Sequence, residues 1–282
     1  MYFDYEPPPF QIDKKESGPW MTLRCVWNDE TARAAAEAGI VGLSVGPENS
    51  DLSFLKDLSH LQGFSYLHDG ADIGPIHHLV NLRWLGMFNM RGPKVDFTRF
   101  PNLEECNLDP WSPTVSRVFE AHWLRRLCLD RLPNKHFSGI ANLAWLRRLT
   151  IFSGSIETLE PIGGLTHLEY LRIARMRKLR DASAIARLTN LHELKVQDCW
   201  GFSTLNHLSS LTRLEELTLD GVGPVDTLTP LATLVNLTRF WLYGIRNTHL
   251  VDRGVSVLER LPNLERYWVK VHRATLTGPN RE

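Results

Sequence analysis

An apolar residue followed at the third and fifth places by two more recurs eleven times along this chain. The anchors are Ile40, Leu61, Leu82, Leu103, Leu124, Leu146, Leu168, Leu191, Leu214, Leu237 and Leu264. Successive subtraction gives intervals of 21, 21, 21, 21, 22, 22, 23, 23, 23 and 27 residues. The phrase is plainest in Leu168-Glu-Tyr-Leu171-Arg-Ile173, Leu191-His-Glu-Leu194-Lys-Val196 and Leu214-Glu-Glu-Leu217-Thr-Leu219. Its last two apolar residues lie two apart, the period of a strand buried on one face. Between phrases, apolar residues recur every third place, as in Ile156, Leu159, Ile162 and Leu165, or Phe202, Leu205, Leu208 and Leu211. That spacing predicts a 3₁₀-like or extended return rather than a full α-helix. A period in the twenties means stacked strand-and-return units, a solenoid with a long open surface instead of a closed pocket.

These phrases resemble the leucine-rich repeat family, in the short 21–23-residue class of internalins and of the regulatory subunit of a protein phosphatase. Asp226-Thr-Leu-Thr-Pro-Leu231-Ala-Thr-Leu-Val-Asn-Leu237 is very like that class, and the resemblance covers roughly Ile40 to Val269. It implies an α/β leucine-rich-repeat solenoid, a curved horseshoe with a parallel concave β-sheet and a mostly 3₁₀ or extended convex side. It is nearly silent on function, because such repeats serve many unrelated partners. The family usually places Asn or Cys eight residues after the anchor. Asp69 and Cys199 suit that column, whereas Met90, Trp111, Leu132, Gly154, Met176, Val222 and Ile245 do not, so the turn amides need other partners. The last full repeat is longer, and Thr248 to Leu261 reads as a helix resembling the longer repeats of ribonuclease-inhibitor type.

The ends break the pattern. Residues 1–18 are Pro-rich and charged and read as a mobile tail. Trp20 to Trp27 alternates as a strand, and Asn28 or Asp29 is placed to cap a short helix from Glu30 to Ala38, closed by Gly39. The expected organisation is a tail over 1–18, a strand–helix cap over 19–39, a domain of about ten to eleven repeats over 40–271, and a polar tail over 272–282. No apolar run reaches eighteen residues, and the first residues read as neither a signal peptide nor a membrane span. The four cysteines, Cys25, Cys106, Cys128 and Cys199, are scattered singly, which points to reduced thiols in a cytoplasm, with no metal and no disulfide framework. The excess of Arg over Lys suggests a GC-rich, bacterial genome.

Net charge is zero, so no general affinity for nucleic acid or acidic membranes is implied. The charge is uneven, however. Residues 1–120 hold 10 Lys/Arg against 17 Asp/Glu, and residues 121–200 hold 13 against 7. That polarity would orient a partner, and raising salt is then expected to slow association. No H-E-x-x-H, G-x-S-x-G or P-loop occurs, no cofactor is implied, and the chain reads as a non-enzyme. His77 and His78 fall on a return segment and read as exposed. Asp109, Arg126 and Asp130 read as surface ion pairs.

With the anchor as position one, positions four and six enter the core and positions three, five and seven point outward. The outward columns contain Trp84, Phe88, Glu105, Asp109, Arg126, Asp130, Arg148, Phe152, Tyr170, Arg172, Lys195, Arg239, Trp241, Tyr243, Arg266 and Trp268. Trp, Tyr, Phe and Arg are the types enriched at interfaces, so these are the candidate partner-binding residues. One cluster lies at the C-terminal end (Arg239, Trp241, Tyr243, Arg266 and Trp268) and another in the middle, from Glu105 to Arg172. The expectation is a monomeric interaction scaffold that binds one protein partner on the concave face. Two other expectations are glycan binding on Trp84, Trp241 and Trp268 and, from the phosphatase-subunit resemblance, regulation of an enzyme.

Overall fold

Each phrase becomes a strand, and each three-spaced apolar run becomes a 3₁₀ return. The computed structural model describes residues 8–67, 72–88, 94–244, 248, 250–251, 256–271 and 274–277. The chain divides into two compact units, Met1–Leu124 and Arg125–Glu282. The division falls inside the single repeat domain expected over 40–271. A stacked repeat touches only its neighbours, so its contact network is a chain of local links rather than one central core.

The first unit holds β1 (Phe10–Lys15), β2 (Gly18–Leu23), α1 (Asp29–Ala38), β3 (Gly42–Val45), β4 (Gly63–Leu67), β5 (Trp84–Phe88) and β6 (Glu105–Asp109). β1 pairs antiparallel with β2, and β2 to β6 run parallel, each beside the next. The second unit holds β7 (Arg126–Asp130), α2 (Asn134–Phe137), β8 (Arg148–Phe152), β9 (Tyr170–Ala174), β10 (Glu193–Gln197), β11 (Glu216–Asp220), β12 (Arg239–Tyr243), α3 (Ser256–Glu259), β13 (Arg266–Val271) and β14 (Ala274–Thr277). β7 to β13 are parallel and β14 closes antiparallel on β13.

Register is one to one, so identical positions stack. Leu171 faces Leu194, which faces Leu217, and all three are fully buried. Each such leucine contributes roughly 1.5–3 kcal/mol of apolar burial. The returns behave as their spacing predicts. Ile162 donates its N–H to Leu159, Leu165 to Ile162 and Leu168 to Leu165, at 3.0, 2.9 and 2.9 Å. One three-residue period thus both buries the side chains and closes the i−3 hydrogen bonds.

Two recurring hydrogen-bond patterns tie each repeat to its neighbour, and the second of them satisfies the turn amides. The residue before the anchor reaches back one repeat: Asn190 Nδ2 donates to Thr166 O at 2.7 Å, Asn236 to Thr212 O at 2.8 Å and Asn263 to Val235 O at 2.8 Å. Asn81 and the Trp123 indole do the same in the first unit. At the strand exits of the second unit, Arg131, Ser153, Arg175, Asp198 and Gly221 all adopt left-handed backbone, with φ between 48° and 60°. Each donates its N–H to the last strand carbonyl of the following repeat, at 2.7–3.0 Å. Asp69, Met90 and Ile245 lie outside the described residues.

A side chain in that left-handed region costs on the order of 1 kcal/mol against glycine. Ser153→Gly is therefore expected to stabilise the protein by about 0.5–1 kcal/mol and Ser153→Val to destabilise it, both read by urea denaturation.

Both ends carry more structure than the expected tails. Phe10–Lys15, placed in the mobile tail, forms β1, because the turn before Gly18 lets it hydrogen-bond along β2. Ala274–Thr277, placed in the polar tail, forms β14 on the free edge of β13. The strand expected over 20–27 runs instead over Gly18–Leu23. The α1 helix is capped as expected: Asn28 accepts from Thr31 N–H at 3.0 Å, Thr31 Oγ1 accepts from Asn28 N–H, and Gly39 takes φ 57°. Of the helix expected over 248–261, Ser256–Glu259 is helical, while Leu250 bridges Val225; residues 249 and 252–255 lie outside the described residues.

Candidate functional site

The side-chain frame holds in both units: positions four and six are buried, apart from half-buried Tyr267, and most positions three, five and seven are partly or fully exposed. In the first unit the outward face is partly filled by its own chain. Trp20 stands in register with Gly42, which faces Gly63, which faces Trp84. Its ring lies over both glycines, where an added Cβ would come within 2.0 Å (Gly42) or 2.2 Å (Gly63) of it. Trp20 Nε1 donates to Ser44 Oγ at 2.8 Å, Lys15 Nζ sits 3.8 Å from the ring centroid, and Trp84 meets it edge-on at 5.4 Å. Trp84, a candidate contact, is thus half-buried against an indole that the sequence reading left in the cap. Two successive glycines in an outward column were the available signal. Phe88 is half-buried, while Glu105 and Asp109 flank the outward side of β6.

In the second unit the outward face alternates cations and rings. Arg148 lies over Tyr170 at 4.1 Å, Lys195 Nζ lies 5.8 Å from the same ring, and Arg172 lies over Phe152 at 4.9 Å. Arg172 Nε donates to Gln197 Oε1 at 2.8 Å. Arg126 is exposed beside Arg148, and Asp130 pairs with Arg131 at 3.0 Å. Further along, Trp241 and Tyr243 stack with centroids 6.4 Å apart, and Trp268 on β13 tilts against Tyr243 at 6.3 Å. Trp268 is 40% exposed. Arg239 is ion-paired with Glu216, and Arg266 stands exposed beside Arg239.

The units differ in charge. Residues 1–124 hold 10 Lys/Arg and 17 Asp/Glu, net −7; residues 125–282 hold 22 and 15, net +7. Burial raises the Asp220 carboxyl above its usual range, helped by the Asp198 carboxylate and opposed by a hydrogen bond from Gln197. A folded-state acid whose pKa is raised binds more protons than the unfolded chain, so stability falls as pH rises between the two values. Asp220→Asn is expected to raise Tm at neutral pH and to leave it unchanged near about pH 3, where both forms are neutral. Equal melting at both values would refute this.

His77 and Cys199 are held by packing and hydrogen bonds within the repeats. His78 is exposed as expected, but His77 is not: its ring stacks on Phe100 at 5.8 Å, and Nε2 accepts from Asp96 N–H at 3.0 Å while Nδ1 donates to Gly74 O. Burial pushes the Cys199 thiol up to about 11, and its Sγ donates to Gln197 O at 3.2 Å. Among the described residues no group of three or more His, Cys, Asp or Glu is placed to hold a metal, and no helix is long and apolar enough to cross a membrane.

No family model matches the chain, and no curated protein sequence does. Solved structures do. An internalin, InlF, from Listeria monocytogenes superposes with a TM-score of 0.63 at 20% identity, over 84% of this chain and 68% of that one. The functional domain of InlJ from the same organism, described as including a cysteine ladder, superposes with a TM-score of 0.53 at 14% identity, over 81% of this chain and 54% of that one.

Proposed function

We propose that this chain, which has an internalin-like leucine-rich-repeat fold, is a non-enzymatic interaction module binding a protein partner on the outward face of its strands. The supporting observation is the trio Trp241, Tyr243 and Trp268, three rings grouped on adjacent strands with Trp268 substantially in water. Grouped exposed aromatics cost solubility unless something covers them, and they are the side chains that most often anchor interfaces. Arg239 and Arg266 border the group, giving the polar rim such anchors require. In this reading the module works in the cytoplasm, which cell fractionation tests.

The test is the Trp241→Ala/Trp268→Ala double variant, compared with the native chain by thermal melting and by affinity purification at native expression. The variant is expected to melt within a few degrees of the native protein and to lose its co-purifying partner, since two anchor truncations cost on the order of 4 kcal/mol of binding. Unfolding of the variant, or full retention of the partner, would overturn the proposal. A signal on a glycan array with no protein co-purifying would move the function to sugar recognition.

A further inference from the structure

We infer that the outward face of β8 to β10 is a docking site for a short acidic segment of a protein partner, whose carboxylates are received by Arg148, Arg172 and Lys195. This rests on the interaction reading above and specifies its partner chemistry. Three observations carry it. First, the guanidinium carbons of Arg148 and Arg172 each lie over a ring, Tyr170 and Phe152, at 4.1 and 4.9 Å. A guanidinium held over a ring by its charge still carries N–H donors in the fork that suits a carboxylate. Arg172 is fixed further by its bond to Gln197 at 2.8 Å.

Second, neither arginine has a carboxylate within ion-pair distance among the described residues; the local pair is Lys195 with Glu193. Arg172 and Lys195 stand directly opposite one another in register. Like charges at such a cross-strand position destabilise a sheet. Excess positive charge is therefore held in place on three neighbouring strands, in the unit whose net charge is +7 (22 Lys/Arg against 15 Asp/Glu). An anionic ligand offsets that repulsion.

Third, the patch is short and ends at acids. Glu216 and Asp220 on β11 border it, and Glu193 lies within it, ion-paired with Lys195, so a phosphate backbone continuing across the strands would meet like charge. Arg148 and Lys195 are two strands and two residues apart, about 12 Å, and an extended peptide rises about 3.3 Å per residue with side chains alternating between its faces. Carboxylates four residues apart share a face and span about 13 Å, close to that separation.

The probe is fluorescein-labelled hexaglutamate, followed by anisotropy on the full chain at low salt and at about 0.5 M NaCl. Saturable binding that weakens in high salt is expected. The Arg148→Gln/Arg172→Gln variant should bind at least about tenfold more weakly. Lys195→Gln, which relieves the like-charge contact and so should stay folded, should also bind more weakly. The Trp241→Ala/Trp268→Ala variant should bind the peptide as the native chain does. No binding by the native chain, or affinity unchanged by losing the two arginines, overturns the inference. So does tighter binding of a single-stranded dodecathymidylate through the same arginines. If hexaglutamate fails while the tryptophan variant still loses its partner, this inference falls and the interaction reading stands. If hexaglutamate binds while that variant keeps its partner, the reverse holds.

Discussion

Trp20→Ala is expected to cost about 3–5 kcal/mol, the usual loss when a buried large aromatic is truncated. The indole is only 6% exposed, although it stands on the outward side of β2, because it lies across the glycines of the next two strands. Its Nε1–H bond to Ser44, which also accepts from Ser65 at 2.8 Å, would be lost with it. The packing reading makes a sharper demand on a second substitution. Gly63→Ala alone should destabilise by about 1–3 kcal/mol, since the new methyl would sit 2.2 Å from the Trp20 ring. In the Trp20→Ala background that clash is gone, and the same change should be neutral or stabilising by about 0.5 kcal/mol through lower backbone entropy. Urea denaturation of the four proteins measures the coupling. Additive effects would show that the ring does not occupy the glycine surface.

Gly201→Ala should cost about 3 kcal/mol or more. A Cβ there would fall 1.7 Å from the carbonyl oxygen of Leu179 and 2.8 Å from its carbon. The obstacle is backbone, so no rotamer change relieves it. That backbone is itself held, because Arg180 and Asp181 N–H both bond to Glu157 O of the repeat before, at 2.8 and 3.2 Å. Relief means separating repeats, and in a stack each repeat's stability depends on its neighbours. Gly164→Ala is the control: a Cβ there meets nothing within 4 Å, and the change should be neutral or slightly stabilising. Similar melting losses for Gly201→Ala and Gly164→Ala would remove the steric account.

The candidate face was legible to different depths at different residues. Trp241 and Trp268 were assigned outward from position alone, and they stand outward as adjacent partners in the register of β12 and β13. Trp84 was assigned by the same rule and is outward too, but its ring is half-covered by Trp20, which no within-repeat count could reveal. His77 is expected to be exposed because it lies with His78 on the return between Ile76 and Leu79, whereas the Asp96 N–H that engages it comes from the next repeat.

The strand-and-return period, the inward leucines and the outward columns were determined by the sequence by itself, because a period of two or three residues acts over distances a single repeat contains. The roof over Gly42 and Gly63, the back-reaching asparagines, the left-handed strand exits and the cation–ring pairs of β8 to β10 were decided only by the tertiary structure. Each of these joins residues 20 or more positions apart in the chain, and Trp20 and Gly63 are 43 apart. Their energies arise when one repeat is laid against the next at strand spacing, about 4.8 Å, and no single repeat contains both partners.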